Sequence, residues 1–350
     1  METSKSHILI ISLVLLLLPI LSGCSSTIYK TVYPTLSDGK YDSEFPYKGS
    51  SEELEQISKT VNRVNSIAFY KAYIFNRGSN IKRSELNETT LENNSNSIGY
   101  FDKSSSGTAT TIYSQNGEVG LLTCAHVVSF PDTILSYYTD RDGKFTEYLE
   151  SVSIRENQLI FAAGFPGNGD MDIIARDRVN DIALLGKSFS ALDNNNFPVF
   201  PYPKGKAKDL EWGTFVYVFG YPMNYKMVSK AIVSSPNYDN KGSFLIDAVV
   251  NRGFSGGVVL SIRDGIPNFE FVGIIRAVPE EIHYVLQPEK LQNNIQYSSV
   301  VPYNGNAYAV EKEDLKYGIA KVIPMELITE FLEKNASLLE QKGYILKNFF

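Results

Sequence analysis

The sequence contains little cysteine, histidine and tryptophan, with 2, 3 and 1 residues of these types among 350. Two cysteines do not supply a disulfide framework, and the core must be held without a set of covalent staples. The sequence also has no long basic run, and its formal net charge is −6. Because a protein that binds a phosphate backbone needs clustered positive charge, we do not expect nucleic acid as a partner.

Aromatic residues are plentiful, at 12% of the chain with 22 Tyr and 20 Phe, and such side chains pack well on pleated sheets. After residue 104 the sequence is a succession of short apolar segments separated by turn signals, such as Gln115-Asn116-Gly117-Glu118. This pattern predicts an all-β sandwich or barrel fold. Helical spacing predicts one helix over about residues 51–64 and a second over residues 325–342.

The first 24 residues resemble a secretory leader that ends in a bacterial lipobox. Lys5 precedes an almost unbroken apolar run over residues 8–21, which is short for a membrane-spanning helix. The run ends in Leu-Ser-Gly-Cys24, and the lipobox cysteine is acylated and becomes the mature N-terminus. We therefore expect residues 1–23 to be a signal peptide, with a lipid on Cys24. An ordinary signal peptide, or an uncleaved anchor, is the alternative.

Residues 24–50 are rich in Ser, Thr, Tyr, Pro and Gly and have no periodicity. This composition predicts a flexible tether between the lipid and a folded domain that begins near residue 51. If Cys24 carries a lipid, Cys124 is the only free thiol of the mature chain. An intrachain disulfide is then impossible.

Ser255 is a candidate nucleophile because it lies between glycines in Gly253-Phe254-Ser255-Gly256-Gly257. Glycines allow a tight turn in which the N–H groups of Gly253 and Ser255 point at one spot and form an oxyanion hole. A serine hydroxyl also needs a base and an orienting acid. The motif alone is also compatible with a plain turn.

Few histidines are candidates for the general base, since His7 lies in the predicted leader and only His126 and His283 remain. His126 follows an apolar strand, at whose end a side chain can face a cleft, although a core histidine is the alternative. Asp181 stands before the apolar segment Ile182-Ala-Leu-Leu. Because burial of an unpaired charge is costly, a carboxylate there is expected to be hydrogen-bonded. Other candidate acids lie nearby: Asp170, Asp172 and Asp177.

The order His126, Asp181, Ser255, in the contexts Thr-Cys-Ala-His-Val-Val, Asn-Asp-Ile-Ala-Leu-Leu and Gly-Phe-Ser-Gly-Gly, resembles the chymotrypsin-like (trypsin-fold) serine proteases. The run from Asp247 to Gly257 resembles most closely the bacterial HtrA/DegP branch. The resemblance implies two six-stranded antiparallel barrels, at about residues 60–200 and 205–325, with an N-terminal helix and a closing helix at 325–342. Because only 8 residues follow Lys342 (350 − 342), we do not expect the PDZ domain that is usual in that branch.

The resemblance also implies roles for individual residues. His126 would be the general base, Asp181 would orient it, and Gly253 and Ser255 would supply the oxyanion N–H groups. No cofactor and no metal are implied. Cys124, two residues before His126, would be a buried packing residue rather than a nucleophile.

Substrate contacts are expected from two further segments. Val249 falls at the expected base of the S1 pocket, and the strand with Ile274, Ile275 and Arg276 would lie beside the substrate backbone. Phe254 departs from the family, which usually has a small polar residue before the nucleophile. A bulky ring there could reshape the oxyanion hole.

The sequence thus predicts a serine endopeptidase, anchored by lipid at a bacterial cell envelope, that acts on proteins or peptides. The alternative is a catalytically inactive trypsin-fold lipoprotein that binds peptides or envelope proteins. Phe254, and an insertion that the spacing of His126 and Asp181 implies around residues 131–170, favour that alternative.

Overall fold

Strands make up most of the structure, a computed structural model that describes residues 34–189, 197–277, 280–288, 297, 300–315 and 318–349. The predicted signal peptide and Cys24 lie outside these residues. The all-β prediction is confirmed at the level of fold class. Short helices lie before the first strand, between strands and after the last one.

Seven antiparallel strands of the first half of the chain form one sheet in the order β4-β5-β1-β2-β3-β7-β6. Their bounds are β1 Val61–Phe75, β2 Ser95–Gln115, β3 Glu118–Cys124, β4 Thr133–Thr139, β5 Phe145–Ala162, β6 Asp172–Asp177 and β7 Ile182–Ser188. The predicted hairpin joins β2 to β3, with Gln115 paired to Glu118. Asn116 and Gly117 both have positive φ, as a tight hairpin turn requires.

This sheet is not the closed six-stranded barrel that was predicted. The reason is the length of β5, whose first half pairs with the additional strand β4. Its second half meets the segment before β6, where Phe161 and Asp170 form an isolated bridge and the Met171 N–H donates to Ile160 O at 2.9 Å. A full ladder between β5 and β6 is absent from the described strands, and the sheet forms a half-barrel.

The second half of the chain forms a closed six-stranded barrel in the order β10-β15-β12-β11-β8-β9, as predicted. Its strands are β8 Phe215–Gly220, β9 Met227–Ser235, β10 Phe244–Ile246, β11 Val258–Ile262, β12 Phe269–Ala277 and β15 Ala320–Pro324. Between β12 and β15 the chain forms a separate two-stranded sheet, β13 Glu280–Pro288 and β14 Ala307–Leu315. The sequence interpretation did not include this hairpin.

The helices are short: α1 Ser51–Thr60, α2 Glu88–Asn94, α3 Ala125–Val128, α4 Met325–Lys334 and α5 Ala336–Gln341. Single 3-10 turns occupy Pro34–Ser37, Arg77–Ser79, Arg83–Glu85, Gly167–Gly169, Ala207–Asp209, Pro222–Asn224 and Leu346–Asn348. Among the described residues, no helix combines the length and the apolar character needed to cross a membrane.

Both predicted helices differ from the structure in a way that local contacts explain. The first ends at Thr60 rather than near residue 64, because Val61 to Val64 pair with β2. The predicted closing helix is divided at Asn335, whose side-chain amide donates to Phe331 O at 2.7 Å. A side chain that binds a carbonyl of the preceding turn competes with the helical backbone pattern.

The main hydrophobic core connects the two halves of the fold. It combines buried side chains of the half-barrel, of the closed barrel and of the C-terminal segment, whose members are Met325, Ile328, Phe331, Leu332, Leu339, Tyr344 and Phe349. Tyr344 is 1% exposed, and its hydroxyl donates to Val119 O at 3.2 Å. Helix α4 therefore begins at the end of the closed barrel, and the segment after it packs on the half-barrel.

Part of the predicted tether is packed against the closed barrel. Tyr41 and Asp42 are each 6% exposed. The Tyr41 hydroxyl donates to Glu270 Oε2 at 2.5 Å, and the Arg263 guanidinium lies over its ring. Asp42 Oδ2 accepts the Gly265 N–H at 3.1 Å, whereas its buried Oδ1 has no hydrogen-bond partner in the described chain.

Asp42 makes the stability of this contact depend on pH. Burial raises the pKa of Asp42 from its ordinary value of 3.8 to about 6, and the nearby charges of Glu44, Asp264 and Asp38 also raise it. An acid whose pKa is higher in the folded than in the unfolded protein binds its proton more tightly in the folded state. Its contribution to the free energy of unfolding is therefore fully present below the unfolded-state pKa. That stability is lost as the pH rises to about 6.

We expect Asp42→Asn to raise the thermal unfolding midpoint at pH 7.5 and to leave it nearly unchanged at pH 4. The amide oxygen can still accept the Gly265 N–H, while the buried charge is removed. Calorimetry at the two pH values checks this, with the exposed Asp102→Asn as the matched control. An equal gain at both pH values would contradict the role assigned to the charge.

Candidate active site

Asp181 and His126 form a two-point contact. Asp181 Oδ2 lies 2.8 Å from His126 Nδ1, and Oδ1 accepts the His126 backbone N–H, also at 2.8 Å. The Asp181 backbone carbonyl accepts the Ala125 N–H at 3.1 Å. The carboxylate therefore fixes both the main chain and the ring of His126.

The turn before β7 places this carboxylate. Asp177 Oδ1 accepts the N–H groups of Val179 and Asn180 at 2.8 and 3.1 Å, which closes an Asx turn. Asp181 follows with φ +61°, a left-handed conformation that Asp tolerates better than most residues. Asp181 is 7% exposed, so the carboxylate is buried under the end of β3.

The contact with Asp181 determines which nitrogen of His126 is available. A neutral imidazole that donates its Nδ1–H to a carboxylate has an unprotonated Nε2, which can accept a proton. The His126 side chain is 43% exposed, so the ring is partly accessible. The pair has the arrangement of a general base and its orienting acid.

The other candidate acids lie in different contacts. Asp170 binds Lys187 Nζ at 2.7 Å, and Asp172 lies 3.8 Å from the same nitrogen. Asp177 is used in the turn described above. Among the four carboxylates considered from the sequence, Asp181 is the one in contact with His126.

Ser255 lies in a loop, residues 251–257, whose backbone leaves two donors unused. Between residues 252 and 257, the N–H groups of Gly253 and Ser255 are those without an acceptor in the described part of the chain. Of the other four N–H groups, that of Arg252 donates to the Asn251 side chain and that of Phe254 donates to Asn251 O. The Gly256 N–H donates to Ile275 O, and the Gly257 N–H donates to Phe254 O. These two free donors are the pair predicted for the oxyanion hole.

The carbonyl groups of the loop fix the direction of these donors. Arg252 O accepts the Met223 N–H at 3.2 Å, and Phe254 O accepts the Gly257 N–H at 2.7 Å. In a trans peptide the C=O and N–H point in opposite directions. The Gly253 and Ser255 N–H groups therefore point away from these two hydrogen bonds.

Gly253 is required by its conformation and its surroundings. Its φ of +105° is strained for any residue with a side chain. An added Cβ would lie 2.2 Å from Tyr221 O. The backbone of the loop thus approaches the end of β8 too closely for another residue.

Phe254 does not project into the cleft, although its size suggested that the ring could reshape the oxyanion hole. Its side chain is 1% exposed and belongs to the core of the closed barrel. The ring packs against Gly220, where an added Cβ would lie 2.4 Å from Phe254 Cδ1. Gly220 therefore provides the space that the bulky residue needs.

The loop that carries Ser255 packs directly on β2 and on the end of β3, the strand that leads to His126. The Thr108 N–H, on β2, donates to Ser255 O at 2.8 Å. Ile275 O accepts both the Gly256 N–H at 2.8 Å and the Cys124 thiol at 3.1 Å. In the described chain no hydrogen bond joins the Ser255 hydroxyl to His126. The structure thus pairs His126 with Asp181 and brings the Ser255 loop against the adjacent strand ends.

Arg276 makes a contact that the sequence interpretation missed. Its Nε lies 3.5 Å from Asp181 Oδ2, the oxygen that also binds the imidazole of His126. The side chain is 44% exposed at this edge. Arg276 was predicted to lie beside the substrate backbone, and its position next to Asp181 adds a positive charge to the site.

The other predicted substrate-binding residues occupy different environments. Ile274 and Ile275 are at most 1% exposed and pack in the cores, so only their backbone could face a ligand. Both the N–H and the C=O of Ile275 already bind the loop, at Gly257 and Gly256. Val249 is 76% exposed, whereas the base of a pocket would be covered by its walls.

Cys124 lies beneath the pair, and its thiol, His126 and Asp181 offer ligand atoms within 4.8 Å of one another. Burial, together with the charge of Asp181, raises the pKa of the Cys124 thiol well above its ordinary value. A neutral thiol is a poor nucleophile and a poor metal ligand. Burial and a raised thiol pKa therefore fit the packing role that was expected for Cys124.

We expect Gly220→Ala to destabilise the protein by about 1–3 kcal/mol, because the added methyl group overlaps the buried Phe254 ring. Gly49→Ala is the matched control, since nothing lies within 4 Å of an added Cβ there. Urea unfolding of both variants measures the difference. Equal midpoints would show that the Phe254 ring is not held against Gly220.

No curated protein matches the chain. Among solved structures, an HtrA-type protease AlgW with tripeptide is 17% identical, with a TM-score of 0.42, over 82% of this chain and 64% of that one. A serine endoprotease from Yersinia pestis is 18% identical, with a TM-score of 0.39, over 83% and 67%. The chain thus spans less than two thirds of the first of these proteins. Residues 107–274, which include His126, Asp181 and Ser255, match the trypsin-like peptidase domain.

Proposed function

We propose that the protein is a serine endopeptidase that uses Ser255, His126 and Asp181. The observation that carries the proposal is the hydrogen-bonded His126–Asp181 pair, next to a loop with two free N–H donors around a serine. The match of residues 107–274 to a trypsin-like peptidase domain supports the same reaction class. Its substrates would be proteins or peptides.

In this mechanism His126 Nε2 removes the proton of Ser255 Oγ as the oxygen attacks the peptide carbonyl. Asp181 holds Nδ1–H and stabilises the imidazolium that forms. The carbonyl oxygen becomes an oxyanion, which the Gly253 and Ser255 N–H groups bind. His126 then protonates the leaving amine, and water hydrolyses the acyl-enzyme by the same route. The mechanism requires the hydrogen bond between Ser255 Oγ and His126 to form when the substrate binds.

A fluorophosphonate probe tests the proposal, because it phosphonylates only an activated serine. We expect the parent protein to be labelled and Ser255→Ala to be unlabelled. We expect His126→Ala to react at least about 1,000-fold more slowly, since the base is lost. Ser234→Ala, at an exposed position on β9, is the matched control and should react like the parent.

The second candidate is a peptide-binding protein with the same fold and no catalysis. The missing hydrogen bond between His126 and the Ser255 hydroxyl in the described chain favours it. A parent protein that binds peptides but is not labelled by the probe, and does not cleave casein, would support this candidate. Labelling at Ser255 would exclude it.

We further propose that the protein is held at a bacterial cell envelope by a lipid on Cys24. The lipobox-like Leu-Ser-Gly-Cys24 after an apolar run supports this proposal. We expect the parent to incorporate labelled palmitate and to sediment with membranes, and Cys24→Ser to do neither. Cys124→Ser is the control for the other cysteine. Palmitate in the Cys24→Ser variant would contradict the assignment.

A further inference from the structure

Thr108 lies at the junction between the two halves of the fold. It is on β2 of the half-barrel, whereas the loop that carries Ser255 belongs to the closed barrel. Its side chain is completely buried. The sequence interpretation gave Thr108 no role, because no local motif distinguishes it from the threonines that follow it on the strand.

Every hydrogen-bonding group of Thr108 except one contacts the nucleophile loop or the end of β8. Its Oγ1 donates to Gly253 O at 2.6 Å and accepts the Tyr221 N–H at 2.9 Å. Its N–H donates to Ser255 O at 2.8 Å. Its carbonyl accepts the hydroxyl of Thr123 at 2.7 Å, which ties it to the strand that leads to His126.

We propose that Thr108 is a positioning residue that holds the oxyanion hole in its functional conformation. Its hydroxyl fixes the carbonyl of Gly253, and its N–H fixes the carbonyl of Ser255. Thr108 thus binds the carbonyl groups of Gly253 and Ser255, and these are the same two residues whose N–H groups are free. This inference rests on the proposed function, since it assigns a role within that site.

The need for such a contact follows from the flexibility of the loop. Gly253 has no side chain and can adopt many backbone conformations. A buried carbonyl that loses its donor remains costly until it finds another one. Without the Thr108 hydroxyl, the peptide that follows Gly253 would therefore turn towards another donor. That rotation would disturb the direction of the neighbouring Gly253 and Ser255 N–H groups.

Three single variants of the full chain test the role. Thr108→Val removes the hydroxyl and preserves the shape of the side chain, and Thr108→Ser keeps the hydroxyl. Thr110→Val is the matched control, because Thr110 is also fully buried on β2 and its Oγ1 has no partner in the described chain. Circular dichroism and thermal unfolding establish that each variant is folded.

We expect kcat on a peptide substrate to fall about 100-fold in Thr108→Val, as when one oxyanion donor is lost. KM should change less than about threefold, because the substrate contacts remain. Thr108→Ser should recover kcat to within about tenfold of the parent, and Thr110→Val should match the parent. Equal kcat values for Thr108→Val and Thr110→Val, or an equal loss in Thr108→Ser, would overturn the inference.

A crystal structure of Thr108→Val separates this inference from the proposed function. The inference requires a rotated peptide between Gly253 and Phe254, whatever activity the parent has. An unchanged direction of the Gly253 carbonyl contradicts it. A parent protein that the fluorophosphonate probe does not label contradicts the proposed function instead.

Discussion

The packing of the Ser255 loop on strands β2 and β3 is the contact on which the candidate site depends. His126 and Asp181 belong to the half-barrel and Ser255 to the closed barrel, so neither half contains the site alone. The approach is close: an added Cβ on Gly256 would lie 2.1 Å from Thr108 O. Such close packing restricts movement of the loop relative to β2. This restriction matters for catalysis, since reacting groups that are displaced by about 1 Å lose much of their rate advantage. The geometry of the site is therefore set by how the two halves fit together.

The charge of Asp181 imposes a second constraint. A buried carboxylate is costly unless hydrogen bonds or an opposite charge compensate it. The Arg276 guanidinium, 3.5 Å from Oδ2, supplies the positive charge. Because this side chain is about half exposed, solvent weakens the ion pair, and its contribution is at most about 1 kcal/mol. The main restraint on the carboxylate is thus its pair of hydrogen bonds to His126.

The sequence was informative about the His–Asp pair and less so about its surroundings. Scarcity of histidine and the apolar strand after Asp181 made the two residues candidates, and the resemblance of their sequence contexts to the chymotrypsin-like proteases predicted the pair. The direction of the Phe254 ring was not predictable, since it depends on the absence of a side chain at Gly220, 34 positions earlier (254 − 220). The strand β4, the hairpin β13–β14 and the contacts of Thr108 were missed for the same reason. They are specified by pairing between distant segments, which a single sequence does not reveal.

The segment after helix α5 completes the core of the half-barrel. Tyr113 of β2 stacks on Phe349 with ring centroids 4.8 Å apart and also contacts Tyr344. Tyr344 and Phe349 follow the closed barrel in the chain, so the half-barrel is not a continuous stretch of sequence. Neither half could be exchanged as one continuous segment without loss of part of this core.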